Sequence, residues 1–183
     1  MKFIETKISN LIIIEPTVFR DTRGYFLESY NQKKFEEVVG KTSFVQDNES
    51  KSYKGVLRGL HFQKPPFEQA KLVRVLKGSI IDIAVDIRIN SDTYLQHRLI
   101  DLSAENFKQV YVPVGFAHGF LTLEENCEIS YKVSNPYDHS SDVSISVFDD
   151  ELSIQLPCTK AEITISEKDH DGLLIKALKS TII

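Results

Sequence analysis

Two stretches of the chain set a histidine in a frame of glycine and apolar residues. One is GVLRGLHFQ, from Gly55 to Gln63; the other is YVPVGFAHGF, from Tyr111 to Phe120. His61 follows Arg58 by three positions, and the next polar positions are Gln63, Glu68 and Lys71. The second stretch runs from Pro113 through Gly115 to His118. An imidazole titrates near neutral pH, so each histidine offers three roles: a metal ligand, a base for proton transfer, or a polar residue with partners in a core. A metal centre requires several histidine or carboxylate ligands converging on one ion. Two histidines, an arginine and a lysine around one cavity suit an anionic substrate or an anionic intermediate instead. The other histidines carry less: His97 reads as part of an exposed strand and His139 as part of a surface turn, while His170, beside Asp169, favours neither reading.

Several common chemistries have no anchor here. No G-x-G-x-x-G follows a strand, and there is no Walker-type G-x-x-x-x-G-K-[ST] loop and no G-x-S-x-G elbow. Aromatic residues are not interleaved with basic ones as on a nucleic-acid platform.

Strands must position the histidines. In the run 79–88 (SIIDIAVDIR), Ile81, Ile83, Val85 and Ile87 alternate with Asp82, Ala84, Asp86 and Arg88. That is the period of a half-buried strand, with the polar members sharing one face. The run 71–76 (KLVRVL) precedes it across Lys77-Gly78, a spacing that predicts a hairpin. Further short strands are expected at 11–14, 24–30, 43–46, 55–62, 95–101, 109–112, 119–122, 128–133, 144–148 and 154–155. Proline, glycine, asparagine and aspartate punctuate them. A helix is expected over 32–39 (QKKFEEVV), ahead of Gly40, and another turn or two within 169–178. Many short strands at close spacing predict a mainly β sandwich or barrel.

The 183 residues show no composition break, repeat or low-complexity tract, so one domain over 1–183 is expected. Hydrophobic residues make up 42% and charged residues 26%, the balance of a soluble chain with a core. A net charge of -4 argues against non-specific nucleic-acid binding. The first residues are interrupted by charges and lack a signal-peptide layout, and the apolar run 11–14 is far too short to span a bilayer. No membrane association is expected. Cys127 and Cys158 cannot build a disulfide framework and match no zinc spacing, as for reduced packing residues of a cytoplasmic protein.

The two histidine stretches resemble the paired motifs of the cupin β-barrels. Metal-binding cupins carry H-x-H followed by a glutamate in the first motif and a further histidine in the second. Here Gln63 and Lys71 match the second histidine and the glutamate. Glutamine replaces imidazole poorly and a lysine ammonium repels a cation, so no metal is expected. More specifically, residues 14–178 resemble the dTDP-4-dehydrorhamnose 3,5-epimerase family. The anchors are FRDTRGYFLESYN from Phe19, FVQDN from Phe44, GVLRGLHFQ, KLVRVLKGSIIDIAVDIR, VPVGFAHGF, Ser130-Tyr131-Lys132 and Ser166-Glu167-Lys168-Asp169. Each is weak alone; their joint order and spacing are specific.

The resemblance implies a cupin-type jelly-roll β-barrel with a few short helices, and a homodimer with N-terminal strands exchanged between subunits. It implies a dTDP-sugar substrate, no cofactor, and epimerisation at carbons 3 and 5 of dTDP-4-keto-6-deoxy-D-glucose. Both carbons flank a ketone, so proton removal gives an enolate. The reaction needs a base, an acid on the opposite face and a cation or donor at the ketone oxygen. By matched position His61 is the base, Asp169 its partner, Tyr131 the far-face acid and Lys71 the cation. His118 supports the same oxygen, and Asp82 holds one of these cations. Arg58 matches the arginine on the diphosphate and Tyr137 the aromatic stacked on thymine. Arg23, Phe26, Glu28, Gln46, Asn48, Asp142 and Lys168 match further substrate contacts, and strand exchange would lend Arg23 and Glu28 to the neighbour's site. Two alternatives stay open: an epimerase acting at one carbon or on another 4-keto sugar nucleotide, and a non-catalytic sugar-nucleotide-binding cupin. Where the family commonly has Trp-Asn-Asp and Trp-Pro, this chain has Phe148-Asp149-Asp150 and Leu156-Pro157, which read as packing positions.

Overall fold

The alternating runs fold into two facing antiparallel sheets in a computed structural model whose described residues are 1–179. In chain order the strands are β1 (Lys2–Glu5), β2 (Ile12–Glu15), β3 (Val18–Asp21), β4 (Gly24–Leu27), β5 (Gln46–Ser52), β6 (Val56–Gln63) and β7 (Lys71–Lys77). They continue as β8 (Ser79–Asp86), β9 (His97–Ser103), β10 (Gln109–Val112), β11 (Phe116–Thr122), β12 (Cys127–Val133), β13 (Asp142–Ser144) and β14 (Thr164–Ile165). Helices are α1 (Gln32–Val39), α2 (Glu167–His170) and α3 (Ile175–Lys179). The first sheet has the order β1-β2-β10-β7-β12-β5, and the second β13-β6-β11-β8-β9 with β14 added in parallel on β6. The sheets stay separate, giving a jelly-roll-like sandwich where a closed barrel is expected from the family resemblance. A small hairpin, β3 with β4, pairs with neither sheet.

The main core lies between the sheets. Val73, Val75, Val110, Val112 and Ile129 of the first pack against Ile80, Ala84, Ile100, Leu102, Phe116 and Phe120 of the second. A second apolar layer covers the outside of the second sheet, where Leu57, Leu60, Ile83 and Val85 meet Val147, Leu152, Ile175 and Leu178 from the C-terminal segment. Phe148 and Leu156 pack at the edge of this layer, as their reading as packing residues predicts. Helix α1 opens on Asn31, whose side chain accepts the Lys34 N–H, and buries Phe35 against Ile12, Leu72 and Tyr111 of the first sheet.

Three expectations are corrected. The Lys77-Gly78 turn is no hairpin, because β7 and β8 belong to different sheets and the chain turns a corner there. Gly78 makes the corner possible: its φ is +76°, and a Cβ would stand 2.7 Å from Cys127 Sγ. Strand β8 is buried on both faces: the C-terminal segment covers Ile81, Ile83 and Val85, and the face of Asp82 and Ala84, which alternation alone leaves to solvent, turns towards the first sheet. Finally, β5 begins at Gln46, where the reading of 43–46 ends; 144–148 shifts to Asp142–Ser144, and 154–155 is not a strand. Among the described residues no helix is long and apolar enough to cross a membrane.

Candidate active site

A strand that alternates strictly sends residues three apart to opposite faces, yet Arg58 and His61 both line one cleft. The pairing of β6 with β11 explains this. His61 lies opposite His118 and Arg58 opposite Phe120, so Gly59 and Leu60 of β6 stand against Gly119 alone on β11. This is a β-bulge, which re-aims side chains on the bulged strand. Gly59 sits in it with φ +115°, and a Cβ there would lie 2.6 Å from Gly119 Cα and 2.7 Å from the His118 carbonyl oxygen. The glycine after His118 and the glycine before His61 thus back onto each other. This is the physical content of the sequences RGLH and HGF.

Asp169 reaches His61 from the C-terminal segment. Ser144, opposite His61 across β13, donates its hydroxyl to Asp169 Oδ1 at 2.9 Å. The Gly59 N–H donates to Oδ2 at 3.2 Å, and Ser166 Oγ caps α2 by accepting the Asp169 N–H. His61 Nε2 lies 2.5 Å from Asp169 Oδ1. Burial pushes the Asp169 carboxyl up, but the His61 hydrogen bond and charge, the Gly59 N–H and the Ser144 hydroxyl outweigh it and hold the pKa at about 2. Asp169 is therefore a carboxylate at neutral pH, Nε2 carries the proton, and Nδ1 is left as the basic nitrogen.

Facing His61 from the first sheet are Lys71 and Tyr131, on the same inward face as Val73 and Ile129. Lys71 is buried, its Nζ 3.4 Å from the His61 carbonyl oxygen, and burial lowers its pKa to about 8 against the opposing charges of Asp142 and Asp82. Burial raises the Tyr131 pKa; Arg58 opposes the rise and Asp142 adds to it, so the phenol keeps its proton at neutral pH. His118 Nε2 is bonded to Asp82 Oδ2 at 2.8 Å, with both side chains buried. Asp82 lies behind His118 and is no surface member of its strand.

These groups border a cavity of about 520 Å³ that also touches Arg58, Lys168 and Ser50. A second cavity of about 380 Å³ is lined by Gln46, Asn48, Gln63, Tyr137 and Asp142, and the two share His61, Lys71, Tyr131 and Lys168. At its mouth Asp142 accepts from the Tyr137 hydroxyl at 3.0 Å and from Lys168. Gln46 Oε1 accepts the Tyr137 N–H at 3.1 Å, and its amide donates to Asn48 Oδ1 at 2.8 Å. Gln63 is committed elsewhere: its amide donates to the Phe67 and Pro136 carbonyls, and its oxygen accepts the Asp138 N–H. A cation would meet the Lys71 ammonium here, and among the described residues no three His, Cys, Asp or Glu side chains converge.

The structure does not bring Arg23, Phe26 and Glu28 to this cleft. Arg23 pairs with Asp21 at 2.6 Å and Glu28 with Lys34 at 2.8 Å, and Phe26 projects from the β3–β4 hairpin. Four positions that sequence reasoning missed serve it: Ser50 lines the cavity, Ser52 accepts from Arg58, and Ser144 and the Gly59 N–H donate to Asp169. The signal for two was present, since Gln46, Asn48, Ser50 and Ser52 alternate along β5 and turn their side chains to one face.

A histidine–carboxylate pair stands on one wall, and a phenol and a lysine stand on the other, groups whose chemistry suits proton transfer. A family model described as dTDP-4-dehydrorhamnose 3,5-epimerase matches residues 5–177. The chain is 51% identical to the dTDP-4-dehydrorhamnose 3,5-epimerase of Salmonella typhimurium (strain LT2), over 96% of each chain. The crystal structure of dTDP-4-dehydrorhamnose 3,5-epimerase from Elizabethkingia anophelis NUHP1 is similar, with a TM-score of 0.93, 50% identity and 97% of each chain covered. So is a dTDP-6-deoxy-D-glucose-3,5-epimerase from Legionella pneumophila in complex with dTDP-4-keto-L-rhamnose, with a TM-score of 0.94, 42% identity, and 100% of this chain and 96% of that one covered.

Proposed function

The chain belongs to the dTDP-4-dehydrorhamnose 3,5-epimerase family, and on that premise we propose how its cleft turns dTDP-4-keto-6-deoxy-D-glucose into dTDP-4-keto-L-rhamnose. The observation that carries the proposal is the placement of the His61–Asp169 pair at one sheet and of Tyr131 and Lys71 on the facing one, all on one cavity. His61 Nδ1 takes the proton from the carbon beside the ketone. The C–H electron pair moves into the enolate, whose oxygen meets the Lys71 ammonium with His118 in support. Asp169 stabilises the imidazolium that forms, as a buried carboxylate does beside a histidine base. Tyr131 then delivers its phenolic proton to the opposite face of the same carbon. Solvent reprotonates Tyr131 and receives the proton from His61, so the cycle repeats at the second carbon with no net change in oxidation state. A correctly placed acid–base pair contributes roughly 10²- to 10⁴-fold.

Arg58, whose Nε donates to Ser52 Oγ at 3.0 Å, and Lys168 supply cations for the diphosphate. Tyr137, with Gln46, Asn48 and Asp142 around it, takes the thymine end. The enzyme is one domain over 1–183, works in the cytoplasm as a homodimer, and receives Arg23, Phe26 and Glu28 from the partner's hairpin and the residue just after it. Its two free cysteines accord with a reducing compartment.

The test is turnover of dTDP-4-keto-6-deoxy-D-glucose in deuterated water, followed by NMR. Deuterium should enter at both carbon 3 and carbon 5. Label at carbon 3 alone would make the protein a mono-epimerase, and none at either carbon would sink the proposal.

A further inference from the structure

Among the described residues two buried side-chain polar atoms have no protein hydrogen-bond partner, and one, Ser50 Oγ, belongs to a residue on the wall of the larger cavity. A buried hydroxyl without a partner is costly in a native fold and calls for an explanation. Its neighbours provide one. The inward face of β5 runs Gln46, Asn48, Ser50, Ser52. Asn48 lies opposite Tyr131 on β12, and Ser52 accepts the Arg58 Nε–H. Successive inward positions on a strand are about 7 Å apart. Ser50 therefore stands between the phenol that delivers a proton and the arginine poised for a phosphate. Its Oγ is sealed from solvent in its present rotamer, and a single χ1 step to another staggered well turns it towards the cavity that the residue lines.

We infer that Ser50 is a substrate contact, its hydroxyl donating to an oxygen of the nucleotide sugar held between Tyr131 and Arg58. That oxygen belongs either to the sugar ring or to the diphosphate. The inference rests on the epimerase reading and adds to it a residue that holds the sugar in line with Tyr131. A hydroxyl serving the substrate leaves the empty protein no more stable for its presence. One serving the fold does the opposite.

The experiment compares Ser50→Ala with the wild type in three measurements: dTDP affinity by calorimetry, kcat/KM for dTDP-4-keto-6-deoxy-D-glucose, and Tm of the free protein. The expected result is an unchanged or raised Tm with kcat/KM lowered at least about fivefold, the scale of one lost hydrogen bond. Weaker dTDP binding alongside it assigns the contact to the diphosphate; unchanged dTDP binding assigns it to the sugar. If dTDP affinity and kcat/KM both stay within about twofold of wild type, or if Tm falls, Ser50 is no substrate contact. A wild-type protein that does not turn the sugar over would fail the epimerase reading itself, a result separate from any Ser50 effect.

Discussion

Among the described residues Lys71 is the buried lysine of the cleft, and in the proposed reaction its charge is what the enolate oxygen requires. Burial brings its pKa down to about 8; Asp142 and Asp82 hold it up, and Lys168 lowers it further. Below that value the side chain is a cation, and above it a neutral amine. The kcat/KM for the keto sugar should therefore fall above about pH 8, approaching tenfold per pH unit. Lys71→Arg, whose guanidinium keeps its charge, should flatten that alkaline limb even where the absolute rate is lower. A pH–rate profile of both proteins decides this: a limb that persists in Lys71→Arg belongs to another group. Stability moves the opposite way. An unfolded lysine holds its proton up to 10.5, while the native one releases it near 8. Between those values the unfolded chain binds more protons, so this group's contribution to stability rises with pH across the window. Below pH 8 the full net cost of holding the charge there, about 3 kcal/mol, is present. The cleft accepts that cost for a cation it can use.

At the scale of elements, the bulge in β6 decides whether Arg58 and His61 face the same cleft. It rests on Gly59, whose φ of +115° and close approach to Gly119 leave no room for a Cβ. Gly59→Ala should destabilise the protein by about 3 kcal/mol, from left-handed strain together with backbone displacement. Activity should fall more than stability alone explains, because a strand that regains strict alternation turns Arg58 away from the cleft. Tm and kcat/KM measured on the same preparation test this; a stable variant with wild-type kcat/KM would show that the bulge is dispensable. The element scale also shows how far the sequence could be read. Helix α1 was legible to the residue, since Asn31, Phe35 and Gly40 each carry a local signal. The strand core was legible wherever one face is apolar, as in β10 and β12. Strand β5 was not, because QDNESKS lacks β-branched and aromatic residues: its inward face lines a polar cleft rather than a core. The β7–β8 corner was misread for a related reason. A glycine turn between two alternating runs looks the same whether the second run pairs with the first or crosses to the facing sheet, and only packing across the sandwich separates the two. Asp169 carries no positional signal apart from the family resemblance, since 108 residues separate it from His61.

At the scale of the molecule, the β3–β4 hairpin is the part that a single chain leaves unexplained. It pairs with neither sheet, and it exposes Phe19 by 60%, Tyr25 by 58% and Phe26 by 70%. Aromatic side chains gathered on an exposed hairpin mark an interaction surface. The matched substrate contacts Arg23, Phe26 and Glu28 lie on this hairpin and just after it, away from the cleft of their own chain. In a twofold dimer each subunit gives its neighbour what it receives, so two hairpins would complete two clefts. A mixed dimer separates this arrangement from one in which each chain serves itself. Let one subunit carry His61→Ala and the other Arg23→Ala, each nearly inactive as its own homodimer. If Arg23 acts across the interface, the Arg23→Ala subunit keeps its own His61 and borrows an intact Arg23, giving one complete cleft per mixed dimer. Random pairing makes half the dimers mixed, so co-refolding equal amounts should recover about a quarter of wild-type activity. If Arg23 acts within its own chain, neither cleft is complete in any dimer, and mixing recovers nothing.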